Sequence, residues 1–237
     1  MSKTQEHRPL DSRFIHPVRD IAKMVTSMQK LPQFTEPTAA SHYGKHLVFF
    51  PSRKNTRQFA CNSVLEADYC ILLEADHTVV RYMTGLPAIK LEGQNSITSY
   101  VPDFLVETTE EFYYTEVKLD FDVISSACRE KLYMAQRRLE LLGHSLRLAD
   151  AKLIRQGFTL RNLKFLYNHS FNVTSDEYGL LQNELLNTRF PTSLGNLLFS
   201  TQVSYRAYYK ALFDRRLSFD GSSPLTTTSI VALPDSD

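Results

Sequence analysis

The sequence has few of the features that mark a secreted, membrane or zinc-finger protein. Its 237 residues include only three cysteines, unevenly spaced and without a C-x-x-C pair: Cys61, Cys70 and Cys128. This pattern favours reduced core residues over a disulfide framework or a zinc site. No apolar run approaches the roughly 18 residues of a membrane helix, and the N-terminus lacks the apolar region of a signal peptide. We therefore expect a cytoplasmic protein without a membrane partner.

The chain also lacks a strong net charge, since its formal charge is +1 at pH 7. Such a protein is not a polycation, so any binding to DNA must come from local basic patches and from partner proteins. Hydrophobic residues make up 43% of the chain, enough for a substantial core. The length suits one large or two small domains.

Two strand-like runs joined by a polar turn are the most informative part of the chain. The runs span 100–106 and 112–119, with the turn at 107–111, and they predict a β-hairpin. Asp103 lies on the first run, whereas Glu116 and Lys118 lie two residues apart on the second. Because side chains alternate along a strand, Glu116 and Lys118 should project from the same face.

This hairpin would bring two carboxylates and an ammonium group together. Mg²⁺ prefers carboxylate oxygens and retains several waters, so Asp103 and Glu116 suit it as ligands, with Mn²⁺ as a substitute. A metal there would activate a water and stabilise charge on a scissile phosphate. Lys118 would assist that water or neutralise the phosphate. The alternative is a solvated sheet face with a weak ion pair.

Glu66 is a further candidate acid, in a stretch from Val64 to Glu74 that predicts an apolar helix packed on most sides. A carboxylate there is costly unless it binds a metal or a donor. However, Ser63-x-x-Glu66 also matches a capping box, in which Glu66 returns a hydrogen bond to the start of the helix. Asp68 and Glu74 are alternative acids for which we expect solvent exposure.

Sequence patterns upstream of the hairpin, taken together with it, resemble those of one family. F-x-S-x-K-x-x-R begins at Phe50, S-x-L-E covers 63–66, and P-D-F and E-V-K follow at 102–104 and 116–118. In this order they resemble the TnsA endonuclease family of heteromeric cut-and-paste DNA transposases, within the PD-(D/E)xK nuclease superfamily. The resemblance runs from about 44 to 168 and more loosely to 225.

The resemblance implies which residues are catalytic and which DNA strand this subunit cuts. The catalytic residues would be Glu66, Asp103, Glu116 and Lys118, and the Val117 carbonyl would join Asp103, Glu116 and Glu66 around the metal. The family would cut the 5' ends of a transposon in double-stranded DNA. A second transposase subunit would cut and join the 3' ends.

A basic segment precedes the predicted helix. Between Thr38 and Leu65 the sequence has no acidic residue and four basic ones: Lys45, Arg53, Lys54 and Arg57. We expect these four residues to track the DNA backbone, with an ordinary solvated loop as the alternative. Further upstream, 15–31 predicts an amphipathic helix.

The order of elements predicts the fold. A long helix over 122–143 follows the hairpin, then a strand at 145–149 and a short helix at 161–168. Helix, strand, hairpin, helix and strand is the core order of a restriction-endonuclease-like α/β fold, a mixed sheet flanked by helices. We expect this catalytic domain to span 1–170.

Residues 171–237 predict a small, mostly helical domain with a flexible Ser/Thr/Pro-rich tail from 222. A capping box at 174–177 opens one helix, further helical runs cover 191–198 and 203–213, and 217–221 resembles a strand entering a turn. The pattern suggests a winged-helix-like module. Its balanced charges favour a protein partner over DNA, and in the resembling family that partner is the ATPase regulator.

Three functions remain open at this stage. The first is a Mg²⁺-dependent DNA endonuclease acting as a transposase subunit. The second is a stand-alone restriction or repair nuclease of the same fold. The third is a non-catalytic scaffold of nuclease fold that bridges DNA and partners.

Overall fold

The computed structural model describes residues 47–92, 97–200 and 203–234, which all fall in one compact unit, Lys45–Asp237. The strands are Val48–Ser52 (β1), Arg57–Cys61 (β2), Val79–Met83 (β3), Ile89–Glu92 (β4), Ile97–Tyr100 (β5), Phe104–Thr108 (β6), Phe112–Lys118 (β7), Ser145–Asp150 (β8), Thr192–Ser193 (β9), Ser218–Phe219 (β10) and Ile230–Ala232 (β11). The helices are Val64–Ala75 (α1), Ser126–Leu141 (α2), Ala151–Ile154 (α3), Thr159–His169 (α4), Ser175–Asn187 (α5), Leu194–Ser200 (α6) and Tyr205–Phe213 (α7). The predicted helix at 15–31 lies outside the described residues.

A mixed four-stranded sheet forms the centre of the fold, in the order β3-β6-β7-β8. The β3–β6 and β6–β7 pairs are antiparallel, and β7 and β8 are parallel. Helix α2 supplies the crossover that a parallel pair requires. Helices α1 and α2 pack against strands of this sheet. The predicted α/β class with a mixed sheet flanked by helices is therefore confirmed.

Helix α1 is buried on nearly all sides, as its apolar composition predicts. Ser63 caps it by accepting a hydrogen bond from the Glu66 backbone N–H at 3.1 Å, and most of its side chains are buried. A helix without a polar face belongs in a protein interior. It therefore places any acid it carries inside the protein.

Helix α2 is shorter than predicted at its N-terminus. It begins at Ser126 instead of 122, because the Ser125 hydroxyl accepts the Cys128 N–H at 3.2 Å and caps the helix there. Its buried residues, Leu132, Ala135 and Leu139, follow the predicted helical spacing. Gly143 follows the end of the helix with φ of 79°, a backbone conformation that suits glycine at a helix stop.

The C-terminal segment follows the order helix, short strand, helix, helix and two strands. Strands β10, β11 and β9 form one antiparallel sheet. The predicted helix at 191–198 is partly wrong, because β9 occupies 192–193 and α6 starts at Leu194. The hydrophobic core runs without interruption across the boundary predicted at 170/171, and the boundary itself stays a prediction.

The flexible tail predicted from residue 222 is wrong for residues 222–234. Strand β11 lies within it, and Asn162 binds the segment through its side chain. Its Nδ2 donates to the Ser223 carbonyl at 2.8 Å, and its Oδ1 accepts the Leu225 N–H at 2.9 Å. A polar composition alone could not reveal these bonds to a helix 60 residues away.

Candidate active site

The β6–β7 hairpin is confirmed, and it places Asp103 beside the middle of β7. The Asp103 N–H donates to the Thr115 carbonyl at 3.1 Å. Its carboxylate oxygen Oδ2 accepts the Val117 N–H at 2.7 Å. These two bonds fix both the backbone and the side chain of Asp103 against the strand that carries Glu116.

The first strand of the hairpin begins later than predicted. It starts at Phe104, and Tyr100 instead ends β5. Pro102 separates the two strands, because it has no N–H to donate and restricts the residue before it. Asp103 is therefore the residue at which the chain enters the central sheet.

Glu116 is buried, with 6% of its surface exposed, and each of its carboxylate oxygens has one donor. The Tyr100 hydroxyl donates to Oε2 at 2.6 Å, and the Lys118 ammonium donates to Oε1 at 2.5 Å. Glu116 and Lys118 thus share a face of β7, as the strand period predicts. The hairpin brings Asp103, Glu116 and Lys118 together.

Glu66 holds the start of α1 and faces the same site. Its Oε2 accepts the Asn62 N–H at 2.8 Å, and its Oε1 lies 3.2 Å from the Ser63 hydroxyl. These are helix-capping bonds, which favour the alternative interpretation of the S-x-x-E motif. The charges of Lys118 and Glu116 nevertheless act on Glu66, so the metal-supporting role stays a prediction.

The electrostatics of the site centre on Asp103. Burial, and then the negative charge of Glu116, raise the pKa of Asp103 to about 7, although the Val117 N–H and Lys118 oppose the shift. Burial likewise raises the pKa of Glu66. For Lys118 burial acts against the charged form, but the hydrogen bond and charge of Glu116 outweigh it and raise the pKa of the ammonium. Asp103 and Glu116 therefore form a like-charge pair that one ammonium compensates only in part.

The donors present fit a magnesium site with two protein carboxylates. Mg²⁺ is usually bound through one or two carboxylates, with waters and substrate phosphates completing its shell. Asp103 and Glu116 are two neighbouring carboxylates, and the charge of Glu116 adds to the effect of burial in raising the pKa of Asp103. Among the described residues no three His, Cys, Asp or Glu side chains already converge as a metal-binding group. Of the two other predicted ligands, the Val117 carbonyl belongs to the same stretch of β7 as Glu116, whereas Glu66 belongs to α1.

Tyr100 is a site residue that the sequence did not reveal. It is 3% exposed and packs in a small core with Leu91, Leu132 and Ala135. Burial, and then the charge of Glu116, raise the pKa of its hydroxyl, so it stays a hydrogen-bond donor. In the sequence Tyr100 reads as the start of a strand, and only the β4–β5 hairpin brings its hydroxyl to Glu116.

The predicted DNA-binding residues divide into two groups. The Arg53 guanidinium lies 4.3 Å and 4.1 Å from the ring centres of Tyr167 and Phe171, and it donates to the Tyr167 carbonyl at 2.6 Å. The Lys54 ammonium binds backbone carbonyls, including that of Val79 at 2.5 Å. These bonds favour a structural role for both residues.

Arg57 is exposed at the start of β2, where its guanidinium lies 4.5 Å from the ring centre of Phe59. Lys45 lies outside the described residues. DNA contact by Lys45, Arg53, Lys54 and Arg57 stays a prediction.

The expected solvent exposure of Asp68 and Glu74 is wrong. Asp68 is 2% exposed and pairs with Arg155 at 2.8 Å and with Lys164. Glu74 is 6% exposed and accepts four hydrogen bonds. Its donors are the Ser52 and Tyr82 hydroxyls and the backbone N–H groups of Arg53 and Lys54. Both acids connect α1 to other elements.

Comparison with protein-family models and with curated proteins finds no match. Within residues 47–92, 97–200 and 203–234, none of the helices has the length and apolar character of a membrane span.

Proposed function

We propose that this protein is a divalent-metal-dependent DNA endonuclease that hydrolyses a phosphodiester bond. The observation that carries the proposal is the meeting of Asp103, Glu116 and Lys118 on the β6–β7 hairpin. Two carboxylates and an ammonium at the two central strands of a sheet are the groups that metal-assisted hydrolysis of a phosphodiester needs.

The order of elements supports the same class. Helix α1, strand β3, hairpin β6–β7, helix α2 and strand β8 follow the order expected of a restriction-endonuclease-like core. Both predicted catalytic strands lie in the middle of the sheet order, where neighbouring strands fix their register. A site built on central strands is held more precisely than one built on loops.

Each residue of the site has a separate role in this proposal. Asp103, Glu116 and the Val117 carbonyl hold Mg²⁺, or Mn²⁺ in its place. The bound ion supplies an activated water and neutralises charge on the phosphate. Lys118 binds the phosphate or orients the attacking water. Glu66 holds the start of α1 beside them.

More specifically, the resemblance to the TnsA family supports a subunit that cuts the 5' ends of a transposon in double-stranded DNA. Its partners would be the subunit that cuts and joins the 3' ends and an ATPase regulator, in the bacterial cytoplasm at the nucleoid. The helix, strand, helix, helix and two-strand order of residues 175–232 supports a winged-helix module. The family resemblance implies that this module contacts the ATPase, and its balanced charges favour a protein partner over DNA.

The test is strand-specific cleavage of end-labelled transposon-end DNA by the reconstituted subunits, with and without Mg²⁺. Asp103→Asn and Lys118→Met should each reduce the 5'-strand cut by about 100-fold or more, with the 3'-strand cut preserved. Glu111→Gln is the matched control, because Glu111 precedes β7 at the opposite end and is half exposed. Unchanged 5' cutting in both site variants would refute the proposal and leave the scaffold function.

A plasmid-nicking assay without partners separates the transposase subunit from a stand-alone nuclease. The subunit should nick only when its partners are present, whereas a restriction or repair nuclease should cut alone. In either case Asp103→Asn should abolish the cut.

A further inference from the structure

Each oxygen of the buried Glu116 carboxylate already has one donor, and one of these two donors is a cation. One oxygen accepts from Tyr100 and the other from Lys118. Each oxygen retains a lone pair for a metal ion, but a cation that binds there is repelled by the neighbouring Lys118 ammonium.

Lys118 is the donor that can leave. Tyr100 is 3% exposed and its ring is part of a small core with Leu132 and Ala135, so its hydroxyl cannot move without disturbing that packing. The Lys118 side chain is 34% exposed and lies on a flexible four-carbon stem. The ammonium can therefore turn towards solvent while its backbone stays in β7.

After the two charges separate, the ammonium is solvated by water, but the buried carboxylate has lost its counter-charge. A buried carboxylate that loses its counter-charge carries a large desolvation penalty. Asp103, bound to the Val117 N–H, adds a second negative charge beside it. A divalent cation satisfies both acids, and an anion outside the sheet satisfies the ammonium. On a DNA substrate that anion is a backbone phosphate.

We propose that Lys118 exchanges partners when substrate binds, moving from Glu116 to a DNA phosphate while Glu116 and Asp103 take up the divalent cation. This inference rests on the proposed function and adds a regulation to it. Without DNA the Lys118 ammonium compensates part of the negative charge, so the site binds metal weakly. With DNA, the phosphate draws Lys118 away from the carboxylates and so favours binding of the cation. The cation in turn replaces Lys118 at Glu116 and leaves the ammonium free to bind the phosphate.

The consequence is cooperative binding of metal and DNA. The exchange predicts that Mg²⁺ raises the affinity for DNA and that DNA raises the affinity for Mg²⁺ by the same factor. Binding of a short labelled duplex is measured by fluorescence anisotropy at fixed ionic strength, with and without saturating Mg²⁺. Samples are kept cold, and the duplex is recovered intact on a gel. We expect about a 5-fold or larger gain in the wild type.

Two variants abolish the exchange, one at each residue of the Lys118–Glu116 ion pair. Lys118→Met should bind Mg²⁺ more tightly than the wild type in the absence of DNA, as measured by titration calorimetry, and should show no Mg²⁺-dependent gain in DNA affinity. Glu116→Gln frees Lys118, so it should bind DNA more tightly without Mg²⁺ and likewise show no gain. Thermal melting checks that each variant is folded.

Lys152→Met is the matched control. Lys152 is an exposed lysine whose ammonium lies 3.1 Å from Asp122 and 3.7 Å from Asp120, in the loop that follows β7. It removes the same charge near the site without touching Glu116 or Asp103. Its metal–DNA coupling should equal that of the wild type.

The outcomes separate this inference from the proposed function. Coupling that persists in Lys118→Met and Glu116→Gln, or that Lys152→Met removes equally, overturns the exchange even if the DNA is cut as proposed. Coupling that both Lys118→Met and Glu116→Gln abolish and that Lys152→Met retains supports the exchange even if no strand is cut. A wild type without coupling overturns the exchange whether or not it cuts.

Discussion

Two groups of buried acids in this protein differ in how fully their charges are compensated. On α1, Glu74 accepts four hydrogen bonds and Asp68 pairs with two cations. At the hairpin, Asp103 and Glu116 are neighbours, and Lys118 is the cation that acts on both. Burial alone therefore does not distinguish a structural acid from a candidate ligand.

The difference identifies the acids whose negative charge an additional cation would compensate. Each carboxylate oxygen of Glu74 accepts two hydrogen bonds, so a metal ion would have to displace one of these donors. Asp103 instead has its pKa raised to about 7 by burial and by Glu116. Titratable residues with shifted pKa values concentrate at functional sites. Catalysis and ligand binding use charged groups in surroundings that disfavour the charged form. Four experiments test this contrast.

The largest effect is expected at Glu74. Replacement by alanine leaves buried hydroxyls and N–H groups without an acceptor, and it should lower the free energy of unfolding by about 3–4 kcal/mol. Urea denaturation measures the change. Glu111→Ala in the exposed turn is the control and should change stability by less than about 0.5 kcal/mol. A loss below about 1 kcal/mol at Glu74 would contradict its structural role.

Asp68→Asn should cost about 2 kcal/mol, less than the change at Glu74. An amide replaces the buried carboxylate, but its partners Arg155 and Lys164 are 43% and 42% exposed and can turn to water. The same urea experiment applies, with Lys164→Met as the paired single variant in a double-mutant cycle. Strict additivity of the two changes would show that the ion pair contributes nothing.

Asp103→Asn should have the opposite sign and stabilise the protein at high pH. The folded pKa of about 7 exceeds the ordinary 3.8, so the folded state retains a proton that the unfolded state loses between these values. Stability therefore falls as pH rises from about 4 to 7, and the asparagine variant escapes that loss. We expect a gain of about 1–2 kcal/mol at pH 8 and almost none at pH 4.

Thermal melting across pH, with Glu111→Gln as the control, measures this dependence. Mg²⁺ should narrow the difference between wild type and Asp103→Asn at pH 8, because a ligand that binds the native state stabilises it. A pH-independent difference would mean that Asp103 is an ordinary exposed carboxylate.

The smallest effect is expected for Tyr100→Phe, at about 1 kcal/mol. The ring keeps its packing and Glu116 keeps Lys118, so the variant loses one hydrogen bond. Tyr133→Phe, at a tyrosine that is 64% exposed, should be neutral. Equal stability of the two variants would show that the Tyr100 hydroxyl does not hold Glu116.

Local patterns predicted the elements of the candidate site well. The alternation from Phe112 to Lys118 predicted a strand with Glu116 and Lys118 on one face, and Ser63 predicted the start of α1. Both signals act over a few residues, where strand and helix periods are dictated by backbone geometry.

Long-range partners could not be predicted in the same way. Lys164 reaches Asp68 across 96 positions and Tyr167 reaches the Pro51 carbonyl across 116. The sequence offered no periodicity for such contacts, so Asp68 and Glu74 were expected in solvent and Arg53 at DNA. A charged residue in an amphipathic or basic segment looks the same whether its partner is water, phosphate or a distant aromatic ring.

By itself the sequence determined the α/β class, the hairpin and the residue types that meet on it, because these follow from local periods and caps. The tertiary structure decided which acids are compensated and which are not. It gave Glu116 the Tyr100 hydroxyl, gave Glu74 its four donors, and left Asp103 beside another carboxylate. Compensation of a buried charge depends on every group within a few ångströms, and only the folded chain brings those groups together.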